Sequence, residues 1–401
     1  MVPYTPNLIR VRPYQFIRSL SRQGHEVTVA TLYTGEAERA DALRLREQCH
    51  AVEVFELPKA RSYANCLAAL PGNVPLQAEY CWQPQLNARI GELLERGGFD
   101  VVHVEHLRGV KFGLKILEKP GMPPVVWDSV DCISFLFRQA AARSQRKISR
   151  LITAMDLRRT ERYEGWLARK FPRVLVTSPL DKAALEELSG GVNGNIRVVP
   201  NGVDLDYFTP GEFSERDAST LVVSGKMSYH ANVSMVLYLV REIMPIIWRQ
   251  RPEVKLQIVG KDPTSEVLAL TADSRIQVTG TVNDLRPYLR RATLAVAPIQ
   301  YGAGIQNKVL EAMACGTAVV ASPQAVSALW LRKGEEVETG DNAVDFAQIV
   351  LKLLEDAPRR DALGHHGRAY VERNHRWDGI AVQLSQIYSE LIDRDDGSHT
   401  G

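Results

Sequence analysis

The chain has 401 residues, 45% of them hydrophobic and 24% charged, a balance that supports a sizeable buried core and excludes an intrinsically disordered chain. Its 49 basic and 47 acidic side chains leave a formal net charge of +2, which excludes a globally basic nucleic-acid binder and a globally acidic solvating chain; any electrostatic partner is met locally. The length predicts two domains or three.

In chain order, MVPYTPNLIRVRPYQFIRSL passes from loop chemistry straight into an amphipathic helix that ends near Gly24, and the strand EVTVATL follows. A doubly wound domain normally opens on a central buried strand of about five residues; that strand is expected to be missing here, with a start that falls late. Short apolar runs then alternate with longer helical patterns: VEVFEL, DVVHVEH, PVVWDS and RVLVTS, then TLVVSG, KLQIVG, IQVTG, TLAVAP and TAVVAS. Strand followed by helix, repeated, predicts parallel sheets covered on both faces.

Between PVVWDS and RVLVTS lies a strongly basic stretch. From Arg138 to Arg173 there are eleven basic and three acidic residues, a local charge of +8. Ile148, Ile152, Met155, Tyr163 and Trp166 fall near helical spacing within it, interrupted by Arg158 and Arg159. Two readings stand: one long helix with a packed stripe and solvated charges, or a surface for an anionic membrane. Nucleic acid is not expected, because no aromatic and basic interleaving of a known reader is present.

Around VVPNGVDLDYFTPGEF, residues 198–213, the pattern gives way to turn chemistry, and the domain boundary is placed there. The second half is a doubly wound domain of common size. Neither half carries GxGxxG after a strand or a Walker loop, which removes the usual support for a dinucleotide oxidoreductase or a P-loop ATPase. Cys49, Cys66, Cys81, Cys132 and Cys315 make no CxxC pair and no metal-spaced cluster, so no metal site is expected and a reduced, cytoplasmic compartment is the simplest reading. No unbroken run of eighteen apolar residues and no signal-peptide pattern occur, so neither a span nor secretion is expected.

The stretch AVAPIQYGAGIQNKVLEAMACGTAVVAS, residues 295–322, carries the most chemistry. A strand ends at Pro298, a loop with Gly302 and Gly304 follows, and a helix is expected to start near Ile305 or Gln306. Such a loop lets a ligand approach the backbone, and the amides of the new helix favour an anion such as a diphosphate. Lys308 and Glu311, three apart on one helix face, suit a phosphate and a pair of sugar hydroxyls; alternatively they pair with each other on the surface.

KVLEAMACGTAVVAS, the hinge IRVVPNGVD and the run SGKMSYHANVSMVLYLVREIMP together resemble glycosyltransferase family 4. RPYQFIRSLSRQGHEVTVATL, FDVVHVEH and RVLVTSPLDKAAL are similar to the family's first-domain helix and strands. The resemblance implies a GT-B fold: α/β, with two facing Rossmann-like, doubly wound parallel-sheet domains and a cleft between them. The acceptor domain would span 1–198, completed by a C-terminal helix at 378–394, and the nucleotide-sugar domain 199–377. It implies a retaining transferase using a nucleotide diphosphate sugar and no further cofactor, most similar to a bacterial branch that assembles exopolysaccharide and cell-surface glycans. The acceptor would be a glycan, a lipid-linked or a small-molecule hydroxyl. The enzyme would be cytoplasmic, peripheral on the inner face of the membrane.

Residue by residue, the resemblance implies that Glu311 holds the donor ribose, that Gly304 and Ile305 offer backbone donors, and that Gly225 and Lys226 form the first phosphate loop of the nucleotide domain. Gly280, Thr281 and Val282 would contact the base, and Pro6, Asn7 and Leu8 stand where the family has a glycine pair. Three positions depart from the pattern. Ala303 replaces the first glutamate of the family's pair, so a nucleophile from that position is lost and front-face departure and attack fits better. The second donor-domain cation falls at Ala231 or Asn232, so Lys308 is expected to supply the charge. On the acceptor side Asp128, with Asp131 behind it, stands in for the family's histidine and ranks above His103 and His106. Arg10 and Arg12 either bind a phosphate or form a solvated face. A nucleotide-sugar epimerase and a catalytically silent scaffold relative are the rival readings.

Overall fold

The computed structural model describes the chain apart from residues 3, 7–10, 144–146, 192–193, 212–215, 303 and 399–401, and apart from the side chains of 140–155 and 394–398. The chain divides into two α/β units, Met1–Pro200 with Trp377–Gly401, and Asn201–Arg376.

The first unit contains β1 (Thr28–Tyr33), β2 (Ala51–Glu56), β3 (Val102–Glu105), β4 (Val125–Val130), β5 (Arg173–Val176) and β6 (Ile196–Val198). All its strand pairs are parallel: β1 with β2, and β3-β4-β5-β6 as a four-stranded sheet. Strands such as β4 and β5 are buried along nearly their whole length because helices cover both faces. The expected first strand is not wholly missing. Met1 and Val2 hold its position: the Val2 amide donates to the Ala30 carbonyl, the Glu105 amide donates to the Met1 carbonyl, and Val2 bridges Thr31 in parallel. Next to them a cavity of about 440 Å³ lies between β1 and β3, lined among others by Phe16, Ile17, Val29, Leu94, Val101 and Tyr388.

The C-terminal helix Trp377–Ser398 carries Ile380, Leu384, Ile387 and Leu391 at helical spacing. With Trp377 and Tyr388 these side chains bury against Phe16 and Leu20 of the helix Val11–Arg22 and against Val126, Leu175 and Val199. Ser19 donates to the Asp378 carboxylate at 2.9 Å, fixing the register of the two helices.

The second unit contains β7 (Thr220–Ser224), β8 (Lys255–Val259), β9 (Ile276–Val278), β10 (Leu294–Ala297), β11 (Val319–Ala321) and β12 (Glu338–Thr339), all parallel in the order β12-β11-β10-β7-β8-β9. The sequence reading did not contain β6, which runs into the turn-rich hinge, or the two-residue β12. The helical stretch His230–Gln250, with a π-turn at Leu239–Ile243, is long and apolar enough by length and composition to cross a bilayer. Its Met235, Val236, Leu239, Ile243, Met244 and Ile247 are nonetheless buried in the core of this unit.

The basic stretch 138–173 is not one helix. It comprises the end of Ile133–Arg143 and the whole of Lys147–Lys170, whereas Arg173 opens β5 and is fully buried. Glu164 ties the longer helix to the start of the shorter one: its carboxylate accepts from the Ile133 and Ser134 amides at 2.8 and 2.9 Å, satisfying two orphan donors there. Of the expected stripe, the side chains of Ile148, Ile152 and Met155 lie outside the described residues; Tyr163 and Trp166 stack on each other with centroids 5.5 Å apart.

Candidate active site

In the second unit the loops after β7 and β8 meet at two glycines. Gly225 has φ +146° and Gly260 φ +153°, and a Cβ on Gly260 would lie 1.7 Å from the Gly225 carbonyl oxygen. No side chain fits there, so two strand ends come closer than any L-residue with a Cβ permits. Asn232 donates to the Lys226 carbonyl at 2.9 Å and locks the same loop. The position where a second cation was weighed therefore holds a latch for the loop backbone. The Lys226 ammonium is more than half exposed and lies 3.8 Å from Asp262.

The helix expected to begin near Ile305 or Gln306 spans Asn307–Ala314, with Gln306 at its N-cap. Gly304 has φ +67°, and its amide and that of Ile305 make no hydrogen bond among the described residues. The Ile305 side chain is buried in the core, so only its backbone can face a ligand. Lys308 reaches back across the loop: its Cε would contact a Cβ at Gly225 at 3.4 Å, and its ammonium donates to the Gln306 amide oxygen at 3.1 Å. Lys308 and Glu311 do not form an ion pair within 4 Å, so the surface-pair alternative fails. Burial lowers Lys308 to about 8, opposed by the Glu311 charge, and raises Glu311 to about 7, opposed by Lys308. Glycines 225 and 304, Lys226, Lys308 and Glu311 thus belong to loops and a helix at the C-terminal ends of β7 and β10, where open parallel sheets bind ligands. Val282, in the loop after β9, lines a cavity of about 550 Å³ with Asp217, Gln257 and Tyr288. Ala303, Asn7, Leu8 and Arg10 lie outside the described residues.

In the first unit the expectation for Asp128 needs correction. Its carboxylate is fully enclosed, accepting from Arg12 Nε at 2.8 Å and from the Val130 amide at 3.1 Å, with His103 Nε2 3.5 Å away. Although burial pushes the other way, Arg12 and His103 together hold it at about 2. A carboxylate with these partners and no exposure organises the strand end and does not meet an acceptor. Arg12 is likewise committed, donating to the Val199 and Pro200 carbonyls and lying over the Phe16 ring, so neither a phosphate site nor a solvated face describes it. Asp131 accepts from Thr177 at 3.1 Å, and burial beside Asp181 raises its pKa.

His106, expected to rank below Asp128, is a partly exposed polar group at the neighbouring strand end. It follows β3 with φ +63°, and Val130, at the end of the adjacent β4, has φ +68°. A left-handed β-branched residue such as Val130 is a true outlier, and beside the left-handed His106 on the neighbouring strand end it marks stored strain of the kind found at functional sites. His106 is partly exposed; burial, with Arg108 nearby, depresses it to about 4, so the ring is neutral at physiological pH. Its Nδ1 accepts from the Arg108 amide at 3.3 Å. The strand-end position was legible, but the backbone strain was not. Among the described residues no three His, Cys, Asp or Glu side chains group to hold a metal ion.

Two α/β units, each built on parallel sheets covered by helices, have the architecture of the GT-B class. Family models agree: residues 10–207 match Glycosyltransferase Family 4, and residues 218–356 match Glycosyl transferases group 1. The chain belongs to glycosyltransferase family 4. It is 29% identical to an MMP alpha-(1->4)-mannosyltransferase of Mycolicibacterium hassiacum, over 75% of this chain and 72% of that one. It is 24% identical to a phosphatidyl-myo-inositol mannosyltransferase of Mycobacterium tuberculosis, over 86% and 93%. Its fold is similar to that of sucrose-phosphate synthase from Thermosynechococcus elongatus, with a TM-score of 0.69 at 18% identity over 97% and 94% of the two chains.

Proposed function

We propose that this glycosyltransferase moves a hexosyl group from a nucleotide diphosphate sugar to an acceptor hydroxyl with retention of configuration. Mannose is the first sugar to test, since both relatives named above are mannosyltransferases. The observation that carries the reading is Lys308 with Glu311: two partly buried, oppositely charged groups on one helix that are not spent on each other, beside unsatisfied loop amides.

In the proposed reaction the bond from the anomeric carbon to the donor phosphate oxygen breaks, and its electron pair leaves with the diphosphate. The acceptor oxygen forms the new bond on the same face, and its proton passes to the departing phosphate oxygen. Lys308, Lys226 and the amides of Gly304 and Ile305 stabilise the charge that develops on the diphosphate; the Gly225 amide donates to the Val259 carbonyl, and the missing side chain of Gly225 leaves room for Lys308. Glu311 accepts the ribose hydroxyl hydrogen bonds. Because the lysines and amides supply the neutralising charge, transfer is expected to persist in EDTA. Val282 is kept as the base contact. On the acceptor side we propose His106, neutral and partly exposed, with Asp128 and Arg12 fixing the strand end behind it.

The acceptor is proposed to be a glycan or lipid-linked hydroxyl in cell-surface or exopolysaccharide assembly, met at the cytoplasmic face of an anionic membrane near the basic segment 138–173. A donor-binding relative that does not transfer is the second reading, favoured by Ala303 in place of a glutamate. A thermal-shift panel of GDP-mannose, UDP-glucose and the bare diphosphates, with Glu311→Ala as control, tests the site. Stabilisation by one nucleotide class that is lost in the mutant supports it. Stabilisation without any sugar release or transfer would favour the second reading, and no stabilisation by any donor would overturn the first.

A further inference from the structure

The helix Lys59–Ala69 lies on the first unit with an unusual outer face. Tyr63, Leu67 and Leu70 are 63%, 66% and 49% exposed, far more than packed apolar side chains, and only Ser62 on this helix is buried. Spacings of four and three residues place them in one stripe, and Lys59 extends it by one turn toward the N-terminus. Ala60, Ala64, Ala68 and Pro71 are exposed as well. Scattered single apolar residues on a surface are ordinary; a continuous stripe with a small-residue surround marks a contact surface.

Charge chooses the occupant. From Leu57 to Ala78 the chain has no acidic residue, and Lys59 and Arg61 are exposed. The C-terminal end of the stripe is fastened to the basic helix Lys147–Lys170: Arg159 donates to the Leu70 carbonyl at 2.9 Å, and Asp156 accepts from the Leu76 amide at 3.5 Å. On that helix Arg158, Arg162, Trp166 and Arg169 recur at spacings of four, four and three, all exposed. Glu161, on the same helix, is paired with Arg138. An apolar stripe rimmed by one sign of charge repels a second copy of itself and attracts an anionic surface that is apolar beneath.

We infer that the helix Lys59–Ala69 is the membrane-inserting element of this enzyme, laying Tyr63, Leu67 and Leu70 into the headgroup and acyl boundary of an anionic bilayer while Lys59, Arg61, Arg158 and Arg162 engage the phosphates. This rests on the proposed peripheral membrane enzyme and deepens it by moving the apolar contact from the basic segment to a neighbouring helix. Each basic side chain near such a surface raises partitioning about fivefold, and burying one leucine changes it about tenfold or more.

The test is co-flotation of the full chain with phosphatidylcholine vesicles with and without phosphatidylglycerol, at low and at physiological salt. The inference expects binding to the anionic vesicles only. It expects Leu67→Ser with Tyr63→Ser to lower partitioning about tenfold or more with thermal unfolding unchanged, and Arg158→Glu with Arg162→Glu to lower it comparably. Tyr63→Trp should show a blue-shifted emission on anionic vesicles, which reports insertion independently of the loss-of-binding variants. No binding by the native chain, equal binding by the serine variant, or an unshifted tryptophan overturns it. So does a concentration-dependent dimer in light scattering that the serine variant abolishes, because the face would then belong to a second copy. Donor hydrolysis without vesicles, which none of these variants is expected to change, reports the transferase reading separately; its failure would leave the vesicle result standing on its own.

Discussion

Lys308 is protonated below about pH 8 and Glu311 is ionised above about pH 7, so both carry charge only in the interval between. Donor affinity in the free enzyme is therefore expected to peak there. It should fall on the acid side as Glu311 takes up a proton and on the alkaline side as Lys308 loses one. Calorimetric titration across about pH 6 to 9 checks this: Glu311→Gln should remove the acid limb, and Lys308→Arg should extend the alkaline one. Lys308→Ala should weaken donor binding by roughly ten- to a hundredfold, and Lys226→Ala, whose ammonium is exposed beside Asp262, by only a few-fold. Equal losses would show that the buried position of Lys308 confers nothing special. Asp128 acts on stability. Its folded pKa of about 2 lies below the ordinary 3.8, so its contribution is present above the ordinary value and is lost as pH falls through the folded one. Asp128→Asn should cost on the order of 3 kcal/mol in urea denaturation at neutral pH, with the difference shrinking toward pH 2.

At the scale of elements, the crossing of the loops after β7 and β8 is the most constrained feature of the second unit. Gly260→Ala places a methyl group inside the Gly225 carbonyl and asks for φ +153° from an L-residue, so a loss of roughly 3 kcal/mol or more, with loss of donor binding, is expected in thermal unfolding. Gly280→Ala is the contrast: its φ is +66° but nothing lies within 4 Å of the new atom, and about 1–2 kcal/mol is expected. Strands such as LAVA and VVA were legible because burial on both faces leaves an unbroken apolar run. β6 and β12 were not, since a strand of two or three residues beside turn chemistry has no period to read.

For the whole molecule, the chain end belongs to the first unit although it follows the second in sequence. Removing residues 377–401 would delete Trp377, Ile380, Leu384, Ile387, Tyr388 and Leu391 and uncover Phe16, Leu20, Val126, Leu175 and Val199 beneath them, a loss on the order of 10 kcal/mol. That is comparable with the stability of an entire domain. Limited proteolysis of the truncated chain is expected to digest the first unit, while nucleotide diphosphates still protect the second. Digestion of both at the same rate would contradict this division of stability.

By itself the sequence determined the repeating strand and helix pattern, the turn-rich hinge, and the glycine loop and helix that carry Lys308 and Glu311, because each is a local pattern of burial, backbone freedom or charge. Only the tertiary structure decided which charges are spent. Arg12 and Asp128 are 116 residues apart and neutralise each other in the core, whereas Lys308 and Glu311, three residues apart, do not pair. It also decided that His106 and Val130 are strained and that the apolar stripe of Lys59–Ala69 faces outward. Ion pairing, strain and exposure depend on what the fold brings alongside a residue, and sequence spacing does not carry that information.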